Sequence, residues 1–244
     1  MKYVVEKLIR DSLFMKAISI SLIISTLIVS YRQIDAQAFE VKCDPGKSYY
    51  RNSRFLFISV KKTPEFAIWL EDTFHNYVAT IFVTRGAAKK FDREIHPLPV
   101  WVHALKNALP DNIKPSNTPF LSDSIIGEAF THFRYWFEIQ FRADTISQQR
   151  RYLIRIEANQ YTDFNETYSA DLPSDDPFYC HKWGQPSVVW ESLMVIPGDF
   201  PQYYEAYILG HGDPQCKTGQ VFRDTTGLTT AVQIFSQISI DRIE

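Results

Sequence analysis

Six histidines and three cysteines are the residues here with the most evident capacity for chemistry. The histidines are His75, His96, His103, His132, His181 and His211. A zinc site takes three or four His, Cys or carboxylate ligands, often closely spaced along the chain. His96 and His103 are separated by Pro97 and Pro99, Cys180 adjoins His181, and His211 sits in Gly210-His211-Gly212-Asp213 not far from Cys216. A Cys180/His181/His211/Cys216 cluster can be drawn, but its spacing matches no standard zinc motif, so no metal is expected. Nucleophilic catalysis has no better signature. G-x-S-x-G is absent, and adjacent residues such as Cys180 and His181 do not face one another as a dyad must. The Gly-His-Gly-Asp run reads as a turn between strands. No phosphate-binding glycine loop is present. The acidic pairs Glu71-Asp72 and Asp175-Asp176 are isolated and read as solvated loop carboxylates.

Aromatic residues carry the stronger signal. Trp101, Trp136, Trp183, Trp190, Tyr161, Tyr168, Tyr179, Tyr203 and Tyr204 concentrate around long loops and one strand face. Rings beside polar groups suit carbohydrate, peptide or protein partners, although rings also cap sheet ends as core. The candidate ligand-binding residues are Trp101, His103, Trp136, Tyr161, Trp183 and His211, with no catalytic residue and no metal ligand assigned. Cys180 and Cys216 lie in loop-like surroundings and form the candidate disulfide in an oxidising compartment, leaving Cys43 over.

The elements that must position these residues are strands. In 66–85, apolar residues alternate on both sides of a polar gap at Asp72-Thr73-Phe74-His75-Asn76, which predicts a hairpin set inside a larger β structure. A first strand is predicted at 54–61. The run 131–142 places Phe133, Tyr135, Phe137, Ile139 and Phe141 on one face and charged or polar residues on the other. Residues 152–159 alternate likewise, so the two runs predict a second hairpin at a sheet edge with one wet face. Further strands are predicted at 187–196, 203–209 and 229–241, about eight in all. The segments 86–123 and 160–186 are long loops; prolines break the first, which has room for a short helix at 100–108. Were these two loops to meet, they would define a site. Many short strands between turn-rich segments predict an all-β protein, with two antiparallel sheets packed as an Ig-like or jelly-roll-like sandwich. Long loops and at most short helices would complete it.

At 244 residues and 45% hydrophobic the chain can bury a full core. Its net charge of −2 gives no basic face for nucleic acid. Met15-Lys16 opens an uncharged run, 17–29, followed by Ala36-Gln37-Ala38. That order is a secretory leader with cleavage after Ala38. The run is short for a membrane span, which takes roughly 20 residues. Residues 1–14 read as an upstream extension and Met15 as the start. The expected organisation is a leader at 1–38 and one β-sandwich domain at 39–244, periplasmic or secreted. No stable membrane span is expected after cleavage.

The segments Phe66-Ala67-Ile68-Trp69-Leu70-Glu71-Asp72, Tyr77-Val78-Ala79-Thr80-Ile81-Phe82-Val83-Thr84 and Leu98-Pro99-Val100-Trp101, with Gly184-Gln185-Pro186-Ser187, carry a resemblance. Together they resemble a family of predicted periplasmic proteins defined only as a domain of unknown function. The resemblance implies a small β-sandwich behind a signal peptide and implies no activity. The stretch 113–119 keeps only the Thr-Pro end of that family's Gly-Ala-Thr-Pro-like run. Ser116-Asn117-Thr118 lacks the Gly-Ala of a covalent flavin acceptor, so no flavin on Thr118 and no other cofactor is expected. The leading functional expectation is an exported, non-enzymatic protein that binds a protein or small ligand through aromatic-rich loops. The alternatives are an extracytoplasmic hydrolase with a loop-borne His/Asp/Glu site and a metal-binding accessory protein.

Overall fold

The computed structural model describes residues 34–55, 58–109, 126–127, 133–142, 150–196 and 202–243. Residues 1–33 of the leader expected at 1–38, and Thr118, lie outside the described residues. The chain divides into a small unit, 1–36 with 140–148, and a larger one, 37–139 with 149–244. Of the small unit, 34–36 and 140–142 are described, and both stretches are strand.

The architecture is an all-β sandwich with few helices. One sheet holds four strands in the order β10 (Tyr203–Glu205), β12 (Phe235–Ile243), β1 (Ile34–Pro45) and β7 (Arg134–Arg142). The other holds six, in the order β11 (Tyr207–His211), β9 (Val188–Ile196), β8 (Arg150–Asn159), β4 (Glu65–Asp72), β5 (Tyr77–Thr84) and β6 (Ile126–Gly127). A two-stranded ribbon, β2 (Arg51–Phe55) with β3 (Ile58–Lys62), stands beside them. β1 with β12, β10 with β12, β11 with β9, β2 with β3, β4 with β5 and β8, and β8 with β9 pair antiparallel, and β5 pairs with β6 in parallel. No helix among the described residues is long and apolar enough to cross a membrane.

Period-two patterning explains how the sheets meet. Phe66, Ile68 and Leu70 of β4 pair with Ala158, Ile156 and Ile154 of β8, so all six share one face. Rings close the gap to the other sheet. Phe82 lies 4.3 Å from Tyr135, Phe66 lies 5.5 Å from Phe235, and Trp190 lies 5.4 Å from Phe235. The Phe66–Phe235 and Trp190–Phe235 contacts are edge-to-face, the arrangement that ring quadrupoles favour.

The opposite face of the six-stranded sheet is also dry. Ala67, Trp69, Val83 and Val189 are covered by Phe91, Leu98 and the helix Pro99–Ala108, called α2 after the single turn α1 (Arg85–Ala88). That face explains why 66–70 is apolar at every position rather than at alternate ones. Beyond the helix the face turns polar. Arg155 donates to Glu191 Oε2 from two nitrogens, at 2.9 and 2.8 Å, and its third nitrogen lies 3.2 Å from Glu71 Oε2. The Trp69 indole N–H donates to Glu71 Oε1 at 2.7 Å.

Several strand expectations are corrected. The stretch 39–50 opens in β1, where Phe39, Val41 and Cys43 are buried and alternate with Glu40 and Lys42. The single strand expected at 54–61 is instead the β2/β3 pair, with Phe55 opposite Ile58. β7 and β8 do not form a hairpin, because they belong to different sheets. β7 does keep one wet face, with Arg134, Trp136, Glu138 and Gln140 exposed, whereas β8 is central and buried from Leu153 to Asn159. The strand expected at 203–209 is two: β10 pairs with β12, and β11 pairs with β9 in the other sheet. A chain that changes sheets in this way is a familiar corner of β-sandwiches.

Candidate functional site

The loop at 160–186 is held by one polar knot. Asp163 is largely buried and its carboxylate accepts from Arg51 at 2.7 Å, from Gln185 at 2.9 Å and from Thr230 at 2.6 Å. The Gln185 side chain in turn accepts from the Thr229 backbone N–H at 2.7 Å. Gly184 lies in the left-handed region (φ 83°), and a Cβ there would stand 2.2 Å from the Asp163 nitrogen, so only glycine fits. This knot fixes the neighbouring Trp183.

Trp183 and Tyr161 meet edge-to-face at 5.5 Å. Around them lies a pocket of about 430 Å³ contributed by three segments. Lys61, Lys62, Thr63 and Glu65 come from the end of β3 and the start of β4. Lys90 and Arg93 follow α1, and Lys182 precedes Trp183. The ammonium of Lys62 lies 4.6 Å from the Tyr161 ring centre, and those of Lys182 and Lys90 lie 5.2 and 5.4 Å from Trp183. Those distances are within cation–π range. Glu65 is the one carboxylate among the described lining residues. It accepts from Lys90 at 2.8 Å and from the Thr84 hydroxyl at 2.5 Å. Five basic side chains therefore face one already engaged acid.

A second cavity, about 610 Å³, adjoins the first through Arg93 and Lys182 and adds Glu94, Ile95, Thr162, Phe164, Ala170, Tyr179 and His181. The segments 86–123 and 160–186 thus do converge, at residues 90–95 and 161–183. Two polar atoms of the second segment, Trp183 Nε1 and His181 Nε2, are buried without a hydrogen-bond partner among the described residues. Burial, then Lys217, lowers the pKa of His181, which favours the neutral ring.

The six sequence candidates fall in different places. Tyr161 and Trp183 share the basic pocket. Trp101 is fully buried on α2, its indole N–H donating to Thr80 Oγ1 at 3.0 Å. His103 lies on α2, half-buried, with Nδ1 donating to the Pro99 carbonyl at 2.8 Å. Trp136 is 58% exposed on β7. His211 is buried and lines a separate pocket with Tyr168 and Phe222.

The expected Cys180–Cys216 bridge is not formed: Cys43, Cys180 and Cys216 are all buried free thiols. Burial pushes the Cys180 thiol up to about 11 and raises Cys216 well above its ordinary range, so neither is a thiolate at neutral pH. The Cys216 sulfur lies 3.8 Å from the Pro214 carbonyl oxygen. Among the described residues no group of three or more His, Cys, Asp or Glu is arranged to hold a metal ion.

Sequence reasoning passed over Lys61, Lys62, Lys90, Arg93 and Lys182. Their local signal is the Lys-Lys pair at the end of β3 and the Lys182-Trp183 dipeptide, but a net charge of −2 conceals a cluster assembled from three distant segments. No protein-family model matches the chain, and no curated protein or solved structure is detectably similar to it.

Proposed function

We propose that this chain is an exported, non-enzymatic binding module. Its ligand is a small anion that carries a ring or another flat apolar face. The observation that carries the reading is the five-to-one excess of basic over acidic side chains around Tyr161 and Trp183. Lysine and arginine heads held over aromatic faces present donors to phosphate, sulfate or carboxylate, while the rings offer a surface for stacking. The apolar residues Ile95, Phe164 and Ala170 in the adjoining cavity would receive the rest of such a ligand. Export is inferred from the leader at 1–38.

Calorimetric titration of phenyl phosphate and phenol into the mature chain tests this. Phenyl phosphate is expected to bind at least about tenfold tighter than phenol, and the Lys62→Ala/Lys182→Ala double variant to abolish that margin, since charge-assisted hydrogen bonds carry it. Equal binding of the two compounds would sink the anion preference. Hydrolysis of an ester, glycoside or peptide panel that disappears in His211→Ala would replace the binding module with the hydrolase reading.

A further inference from the structure

The pocket that holds His211 has the opposite chemistry. It encloses about 540 Å³, and no lysine or arginine is among its described lining residues. Its walls are rings. Tyr168 and Phe178 meet edge-to-face at 5.7 Å, and Tyr168 meets the His211 ring at 6.2 Å. His211 stacks on Phe222 at 5.4 Å and 17°. Nδ1 of His211 donates to the Gly212 carbonyl at 2.7 Å, which fixes the ring plane against Phe222. Phe178 and Phe222 are 46% and 37% exposed, so these walls remain open to solvent.

Two carboxylates line the same cavity. Both oxygens of Asp213 are occupied: Oδ1 accepts from the Gln215 N–H, and Oδ2 accepts from the Lys217 and Thr218 N–H groups and the Thr218 hydroxyl. Asp224 differs. Its Oδ1 accepts from the Thr226 N–H at 2.9 Å and hydroxyl at 2.6 Å, while Oδ2 has no partner among the described residues. Those two bonds hold the Asp224 carboxyl below its ordinary range, so it is ionised at neutral pH. Burial, then the Asp224 charge, raises the Tyr168 phenol.

We propose that this aromatic pocket is a second, separate binding site, for an organic cation. A quaternary or alkylated ammonium group would lie against the faces of Tyr168, Phe178 and Phe222, with Asp224 as its counter-charge. Ring faces attract such cations electrostatically, and an alkylated ammonium gives up little hydration on entering. A hydrated metal ion would find one free carboxylate oxygen and apolar walls. A neutral apolar guest would gain nothing from the Asp224 charge.

The direct comparison is choline against 3,3-dimethylbutanol, its uncharged isostere, titrated calorimetrically into the mature chain. Choline is expected to bind about tenfold tighter or more, the range cation–π and ionic contacts supply. Asp224→Asn keeps the acceptor for Thr226, and Phe178→Ala trims an exposed ring. Each is expected to weaken choline about fivefold or more while leaving phenyl phosphate binding unchanged. Equal affinity for the two compounds, no saturable choline binding, or choline binding unaffected by both substitutions would overturn the proposal.

Discussion

At Glu157 burial and hydrogen bonding act against each other. Its carboxylate reaches from β8 to the start of α2, accepting from the Val100 N–H at 3.2 Å and the Trp101 N–H at 2.8 Å. The Ser187 hydroxyl donates at 2.5 Å. The helix needs this partner, because its cap residue Leu98 supplies no side-chain hydrogen bond; the Leu98 N–H donates to His96 Nδ1 and Pro99 has none, which leaves the Val100 and Trp101 N–H groups to Glu157. Burial nonetheless dominates and raises the Glu157 carboxyl from 4.5 to about 7, against those three bonds and nearby Arg155. The folded chain therefore holds a proton that the unfolded chain releases above 4.5. This contribution to stability is present below 4.5 and is lost as pH rises through 7, by about 2 to 3 kcal/mol between pH 5 and 8. His96 runs the other way. Burial lowers it to about 4, so its contribution is present above 6.5 and is lost as pH falls toward 4. Since His96 is common to both proteins, the gap in unfolding free energy between wild type and Glu157→Gln isolates Glu157. Urea unfolding at pH 5 and 8 is expected to show that gap moving against wild type as pH rises, and a gap independent of pH would contradict the assignment. None of this was legible in sequence, where Glu157 is one polar position in an alternating strand.

At the scale of elements, the hairpin at 66–85 was legible because its alternation and its polar gap agree. The structure places β4 and β5 there, with the Asp72 carboxylate receiving the Phe74 and Asn76 N–H groups in the turn. What alternation alone does not encode is partnership. Strands β7 and β8 alternate equally well, yet one is an edge strand of the four-stranded sheet and the other is central in the six-stranded one. β1 was passed over because its first residues, Ile34–Ala38, fall in the expected leader and the rest carries Glu40, Lys42 and Asp44 on its polar side. Helix α2 was readable because Trp101, Ala104, Leu105 and Ala108 share a helical face; it starts at Pro99, one residue before the expected 100–108. Leu105 is 1% exposed in the α2 core, and Leu105→Ala is expected to cost about 2 to 5 kcal/mol in denaturant unfolding. A loss below about 1 kcal/mol would mean that the helix is not a true layer of the core. The loop at 160–186 rests on Gly184. Gly184→Ala is expected to cost more than about 1 kcal/mol, because the native backbone is left-handed there, and to weaken phenyl phosphate through displacement of Trp183. Unchanged stability and unchanged binding together would remove the knot's role.

For the molecule as a whole, the sandwich and its long loops were legible from composition and strand spacing, whereas the site was legible only in part. Tyr161 and Trp183 are a pair because Asp163, Gln185 and Thr230 tie distant segments together, a three-dimensional fact with no local signature. The basic side chains around them come from 61–62, 90–93 and 182, and the acidic excess elsewhere cancels their charge in any sum over the chain. The proposed leader, cleaved after Ala38, would leave a mature N-terminus at Phe39. The β1–β12 register begins at Ala38 opposite Ile243, so cleavage there would keep the paired strand from Phe39 onward. Intact-mass analysis of exported protein is expected to give a chain that starts at Phe39, and a retained leader would contradict export in this form. The central claim is that a ring-bearing anion sits against Trp183. It is tested most directly by following the tryptophan indole N–H resonances in a nitrogen–proton correlation spectrum as phenyl phosphate is added, with Trp183→Phe assigning the peak. The account predicts that the Trp183 resonance moves with saturation while those of Trp69 and Trp101, bonded inside the core to Glu71 and Thr80, stay still. A stationary Trp183 peak at saturating phenyl phosphate would contradict it.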